Sequence, residues 1–166
     1  MSALLAIDPG SAESGWVVID SRDMRPLDHG KLPNADLLSA LRYNAIGNMP
    51  AVIEMVASYG MSVGAEVFDT CVWIGRFQQA LAHRNGRLPE LVKRLPIKVH
   101  HCHSAKANDS NIRQALVDRF AAGQSNHGKG TKADPGWFYG FHADVWQAYA
   151  LAVYAADTHQ TPERGE

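Results

Sequence analysis

Cysteine is scarce. Cys71 and Cys102 are the two in 166 residues, too few for a disulfide framework, and their spacing to the histidines matches no zinc pattern. No apolar run approaches the roughly 18 residues that a membrane span needs, and the N-terminus lacks the basic, apolar, small-residue order of a signal peptide. A cytoplasmic location without membrane contact is therefore the expectation. Repeats, low-complexity stretches and linkers are absent as well, which favours one domain over residues 1–160 and a short tail at 161–166. Neither sign of charge is in excess: 16 Lys and Arg stand against 17 Asp and Glu, which argues against a general nucleic-acid binder. What remains is 46% hydrophobic and 20% charged, the composition of a globular protein with a real core.

The charges are unevenly placed. From Arg76 to Lys132 lie 11 of the 16 basic residues and only Glu90, Asp109 and Asp118 in opposition, so the flanking segments are acidic. Such asymmetry suits a protein with a polyanion-facing side and an acidic cluster elsewhere, although solvated helix faces give the same pattern.

Apolar periodicity predicts the elements. Leu4–Ile7 is a short continuous apolar run ending in turn residues, hence a central strand buried on both faces, and Gly15–Ile19 is its antiparallel partner. Pro26–Leu32 is a weaker third strand. Asn34 or Asp36 caps a helix running to about Ile46, and Ala51–Glu54 is a fourth strand. In Gly64–His83 the apolar residues cover more than one stripe, as in a helix that is deeply buried or pairs with another subunit. Pro96–Val99 reads as a fifth strand, and Asn108–Phe120 as an amphipathic helix capped by Asn108 or Ser110. Residues 121–139 are rich in Gly, Lys, Asn and Pro and predict a mobile functional loop. His142–Asp157 is a strongly apolar helix. The order β-β-β-α-β-α-β-α-α implies an α/β fold with one mixed sheet flanked by helices.

Two strands end in an acid, Asp8 and Glu54, and a third acid, Asp144, opens the last helix. Asp8 also suits an Asx-turn, and Asp144 suits a helix N-terminus. Three convergent carboxylates repel one another unless a cation lies between them, and oxygen ligands in that number select Mg²⁺ or Mn²⁺. Two such ions about 4 Å apart form the clamp that hydrolyses phosphodiesters.

These residues carry a family resemblance. "AIDPGSAESGWVVID" resembles the first motif of the RuvC-like branch of the RNase H superfamily, "AVIEMV" its second and "HADVWQAYALA" its last, in the expected order across nearly the whole chain. The "WIGRF" helix and "KGTKADPG" loop further resemble phage-type relatives of RuvC Holliday junction resolvases. The resemblance implies an RNase H-like mixed five-stranded sheet and a Mg²⁺-dependent endonuclease, with Mn²⁺ as substitute, that cuts branched DNA as a homodimer in a bacterial cell or a phage-infected host. It gives Asp8, Glu54 and Asp144 as catalytic metal ligands. The family's last motif usually supplies a second metal-facing side chain three residues on, and Gln147, a neutral amide, stands there. His142 or Asp69 are alternative completions of the shell. Asp157, roughly 20 Å further along a helix, is not a suitable ligand.

The over-wide helix, with Val67, Phe68, Cys71, Val72 and Ile74, is the natural dimer interface. Lys106, Arg113, Lys129 and Lys132 are candidate phosphate contacts. Tyr59 and Met61 are either wedges for the junction centre or packed loop anchors, and Arg76 either touches DNA or pairs with an acid. The histidines of "HHCHS" (His100, His101, His103) cannot converge on one metal if they alternate along a strand. Three competing readings are an RNase H-like nuclease acting on RNA or other DNA structures, a junction-binding protein with an impaired site, and an actin-like ATPase. The last is disfavoured by the short chain and the lack of a second Gly-rich phosphate loop.

Overall fold

The first strand, β1 (Ala3–Asp8), is apolar at successive positions because it lies at the centre of the sheet with both faces covered. The computed structural model of the chain describes residues 2–159, so the expected tail lies outside the described residues. β1 pairs antiparallel with β2 (Glu13–Asp20) and parallel with β4 (Ala51–Met55). β3 (Pro26–Pro33) flanks β2 and β5 (Glu90–Lys93) flanks β4, which gives one mixed five-stranded sheet in the order β3-β2-β1-β4-β5.

Helices cover both faces. On one side α1 (Asn34–Tyr43) and α2 (Ala65–Asn85) pack on Leu5, Ile7, Trp16, Val18 and Ile53. On the other, α5 (Ala143–His159) crosses β1 and β2, with α3 (Arg94–Cys102) and α4 (Asp109–Phe120) beside it. α5 is buried nearly all round, and its Ala148, Ala150 and Ala152 let the helix lie close to its neighbours. α4 starts at a reciprocal cap: the Asn108 side chain accepts from the Asn111 N–H at 2.9 Å, and Asn111 accepts from the Asn108 N–H at 3.0 Å. α2 ends at Gly86, whose φ of 74° only glycine adopts without strain.

Three expectations are corrected. The fifth strand is Glu90–Lys93, not Pro96–Val99, which belongs to α3. Only Val92 of the real strand is buried, so this edge strand has no apolar run, while Pro96 sits in the first helical turn, where its missing N–H costs nothing. Asn34 does not cap α1. Its side chain accepts from the Ser14 hydroxyl at 2.6 Å and donates to the Gly10 carbonyl at 2.9 Å, locking the turn that follows Asp8.

The segment 121–139 is not a loose loop. Phe138 and Phe141 are buried beneath Trp146 and Tyr149 of α5, with ring centroids 4.5–5.5 Å apart. Backbone bonds from Gly136 to Lys129 and from Phe138 to Gly128 close the segment on itself. These aromatic anchors pin the chain just before α5 and so fix where Asp144 emerges.

Candidate metal centre

Register brings the acids together. Lys31 of β3 faces Gly15 of β2, and Gly15 faces Asp8 of β1. Directly opposed residues of antiparallel strands share a face. Glu54 stands one residue past the Ile7–Ile53 pair, as Asp8 does, so it joins the same row. The row lies on the α5 side of the sheet, where Ala6, Val17 and Val52 pack. Asp144, in the first turn of α5, comes down onto it, an anion placed where the helix dipole favours one.

Gly15 makes that descent possible. A Cβ on Gly15 would stand 2.6 Å from the Asp144 carbonyl oxygen and 2.7 Å from the Asp144 Cβ. The glycine is required by close approach of the helix, not by its backbone angles.

The electrostatics follow from the crowding. Burial pushes the Asp8 carboxyl well above the usual carboxylate range, and the charges of Glu54 and then Asp144 push it further, with Arg94 opposing them. Two side-chain cations bracket the row. Arg94, the first residue of α3, places Nη1 3.4 Å from Glu54 Oε1 and pairs through Nη2 with Asp109. Lys31 Nζ lies 2.5 Å from Asp144 Oδ2 and 3.4 Å from Glu13 Oε2, and these contacts hold its ammonium above its ordinary range.

Among the described residues no group of three or more His, Cys, Asp and Glu side chains is drawn close enough to hold a metal ion. Asp144 is turned to Lys31 and Glu54 to Arg94. The donor chemistry nevertheless fits a hard divalent cation. Glu54 Oε2 and Gln147 Oε1 are buried oxygen acceptors without a hydrogen-bond partner, and such orphans are costly unless something else satisfies them. Asp8, Glu54 and Asp144 offer oxygen ligands, the type that suits Mg²⁺ and Mn²⁺.

The remaining candidates fall elsewhere. Asp69 is exposed on α2, which packs on the opposite face of the sheet, and His142 is exposed, its carbonyl accepting from the Val145 N–H at the start of α5. Asp157 is held by a two-pronged contact from Arg119, at 2.7 and 2.9 Å, and by His100 at 2.6 Å. His100 and His101 lie in the last turn of α3 and His103 just past its end, none on a strand. His100 bonds Asp157 while His101 bonds the Ala150 carbonyl, so these rings are not gathered on a metal.

Lys106, Arg113 and Lys132 are exposed and Lys129 is half-buried, as are Val67 and Cys71 of α2. Arg76 lies over the Trp73 ring at 4.8 Å rather than against an acid. Tyr59 and Met61 are exposed, not packed anchors. On α2, Phe68 and Val72 are 62% and 55% exposed, whereas Ile74 is 2% exposed and belongs to the core beneath the sheet. Ile74 is therefore removed from the candidate interface.

No protein family and no curated protein matches this sequence. Solved structures do. The chain is similar to Thermus thermophilus RuvC, with a TM-score of 0.64 over 95% of each chain at 16% identity. It is also similar to T. thermophilus RuvC in complex with a Holliday junction substrate, with a TM-score of 0.65 over 97% of each chain at 13% identity. The chain has the RuvC fold. At these identities the RuvC likeness speaks to architecture, and the chemistry rests on the row of side chains.

Lys31, Glu13, Arg94 and Asn34 are the site residues that sequence reasoning missed. A hairpin register drawn from Gly15 outward would have found Lys31 and its diagonal neighbour Glu13. Arg94 was hidden by the misplaced fifth strand.

Proposed function

We propose that this chain is a divalent-metal-dependent, structure-selective endonuclease that hydrolyses phosphodiester bonds in branched DNA, a Holliday junction resolvase of the phage type acting as a homodimer. The observation that carries the reading is the row in which Asp8 lies between Glu54 and Asp144, with Glu54 Oε2 buried and unpaired, on a RuvC fold. Asp8, Glu54 and Asp144 would hold Mg²⁺, or Mn²⁺ in its place, with the Gln147 amide oxygen completing the set. Bound there, the ions supply an activated water and neutralise the leaving oxygen.

The chain's own groups do the rest. The buried network of Ser14, Asn34 and Gly10 fixes the turn after Asp8, so the shared ligand is held in place before any substrate arrives. Lys106, Arg113, Lys129, Lys132 and Arg76 neutralise phosphates, a term without sequence preference. Tyr59 and Met61 offer exposed apolar wedges for an unstacked junction centre. The ridge on α2 formed by exposed Phe68 and Val72 with half-buried Val67 and Cys71 is the isologous contact that would present two such sites to two symmetric strands.

Incubation of a four-way DNA junction with the protein and Mg²⁺ should give paired, symmetric nicks and leave linear duplex intact. Tight gel-shift binding without nicks in either Mg²⁺ or Mn²⁺ would instead mark a junction-binding protein, the reading that the neutral Gln147 favours. Preferential cutting of an RNA–DNA hybrid would move the substrate to the RNase H side.

A further inference from the structure

We propose that Lys31 is a built-in competitor for Asp144, which leaves that carboxylate for Glu13 when a divalent ion binds. The inference rests on the metal reading above and concerns how the site is kept before the ion arrives.

Lys31 Nζ already touches both acids, Asp144 Oδ2 at 2.5 Å and Glu13 Oε2 at 3.4 Å. Glu13 is two residues before Gly15 on β2 and faces Pro33, two residues after Lys31 on β3, so both acids reach the ammonium from one face of the sheet. The Lys31 side chain is 42% exposed, and a flexible four-carbon stem allows the small shift from one acid to the other without crossing the core.

An ammonium on Asp144 and a divalent ion on the same carboxylate repel each other, so each occupancy weakens the other. With Lys31 in place the ammonium occupies Asp144 Oδ2, and among the described residues no three carboxylates are gathered for a metal. Arg94 is different. It is 25% exposed, reaches only Oε1 of Glu54 at 3.4 Å, leaves Oε2 clear and is also held by Asp109, so it stays as a fixed counter-charge while Lys31 moves. The affinity of the metal site is then set by the balance of Asp144 against Glu13 for one lysine.

The test is Mn²⁺ titration of the full chain without DNA, followed by loss of the free-ion electron paramagnetic resonance signal. Lys31→Met should bind Mn²⁺ tighter by about fivefold, within the usual range of coupling between sites. Glu13→Gln should bind it more weakly, because Lys31 then has only Asp144 to hold. Glu13→Gln should change little once Lys31 is methionine, a non-additivity that a simple change of surface charge would not produce. Unchanged or weaker binding by Lys31→Met, in a protein whose wild type binds Mn²⁺, overturns the competition and leaves the metal reading standing. Strictly additive effects of the two substitutions overturn it in the same way. No Mn²⁺ binding by either protein removes the metal site itself, and the competitor with it.

Discussion

Asp8→Asn is expected to abolish junction cleavage and, at the same time, to stabilise the metal-free protein. Asp8 is the centre of the row, the carboxylate pressed by both Glu54 and Asp144. Its loss should lower the cleavage rate at least about a thousandfold, equivalent to about 4 kcal/mol of transition-state stabilisation.

The stability effect has the opposite sign because the Asp8 carboxyl is raised in the fold. A raised carboxyl contributes stability while it keeps its proton, below the ordinary value of about 4, and loses that contribution as the pH climbs through the folded value. At neutral pH, above the ordinary carboxylate value, the metal-free wild type therefore carries a cost for that carboxyl which the non-titrating amide lacks. Asp8→Asn should melt a few degrees higher without metal, since about 1 kcal/mol moves the midpoint by about 2–4 °C in a domain of this size. Mg²⁺ should raise the wild-type midpoint and leave that of the variant where it is. Wild-type cleavage by Asp8→Asn would remove Asp8 from the chemistry.

Gly15→Ala should harm both fold and site through one methyl group. The added Cβ meets the backbone oxygen of Asp144 at 2.6 Å, and a helix backbone cannot step aside as a flexible side chain can. Urea denaturation should show a loss of about 1–3 kcal/mol, the usual cost of overpacking. Junction cleavage should fall further than that loss accounts for, because Asp144 is lifted away from Asp8. A variant with wild-type stability and wild-type cleavage would mean that α5 does not approach β2 as described.

Much of this site was legible in the sequence because its signals are local. Asp8 and Glu54 each end a short apolar strand, Asp144 opens an apolar helix, and the three follow one another in a recognisable order. The parts that depend on partners elsewhere in the chain were not legible. Lys31 is an ordinary exposed lysine until the register of two hairpin strands sets it opposite Gly15. Asn34 looks like a helix cap because the cap and the turn lock ask for the same side chain, and only the fold brings it to Ser14 and Gly10. Segment 121–139 reads as a loose loop because its polar residues outnumber the anchors, and Phe138 acts only when Trp146 and Tyr149 lie over it. The edge strand Glu90–Lys93 has one buried residue, which leaves periodicity nothing to detect.

The central claim is that the carboxylate row around Asp8 is a divalent-metal site. Anomalous scattering from crystals soaked in Mn²⁺ tests it most directly. The expected result is at least one strong peak within coordination distance of Asp8, shared with Glu54 or Asp144, and no such peak in Asp8→Asn. Saturating Mn²⁺ with no peak at Asp8, or peaks confined to other carboxylates, would contradict it.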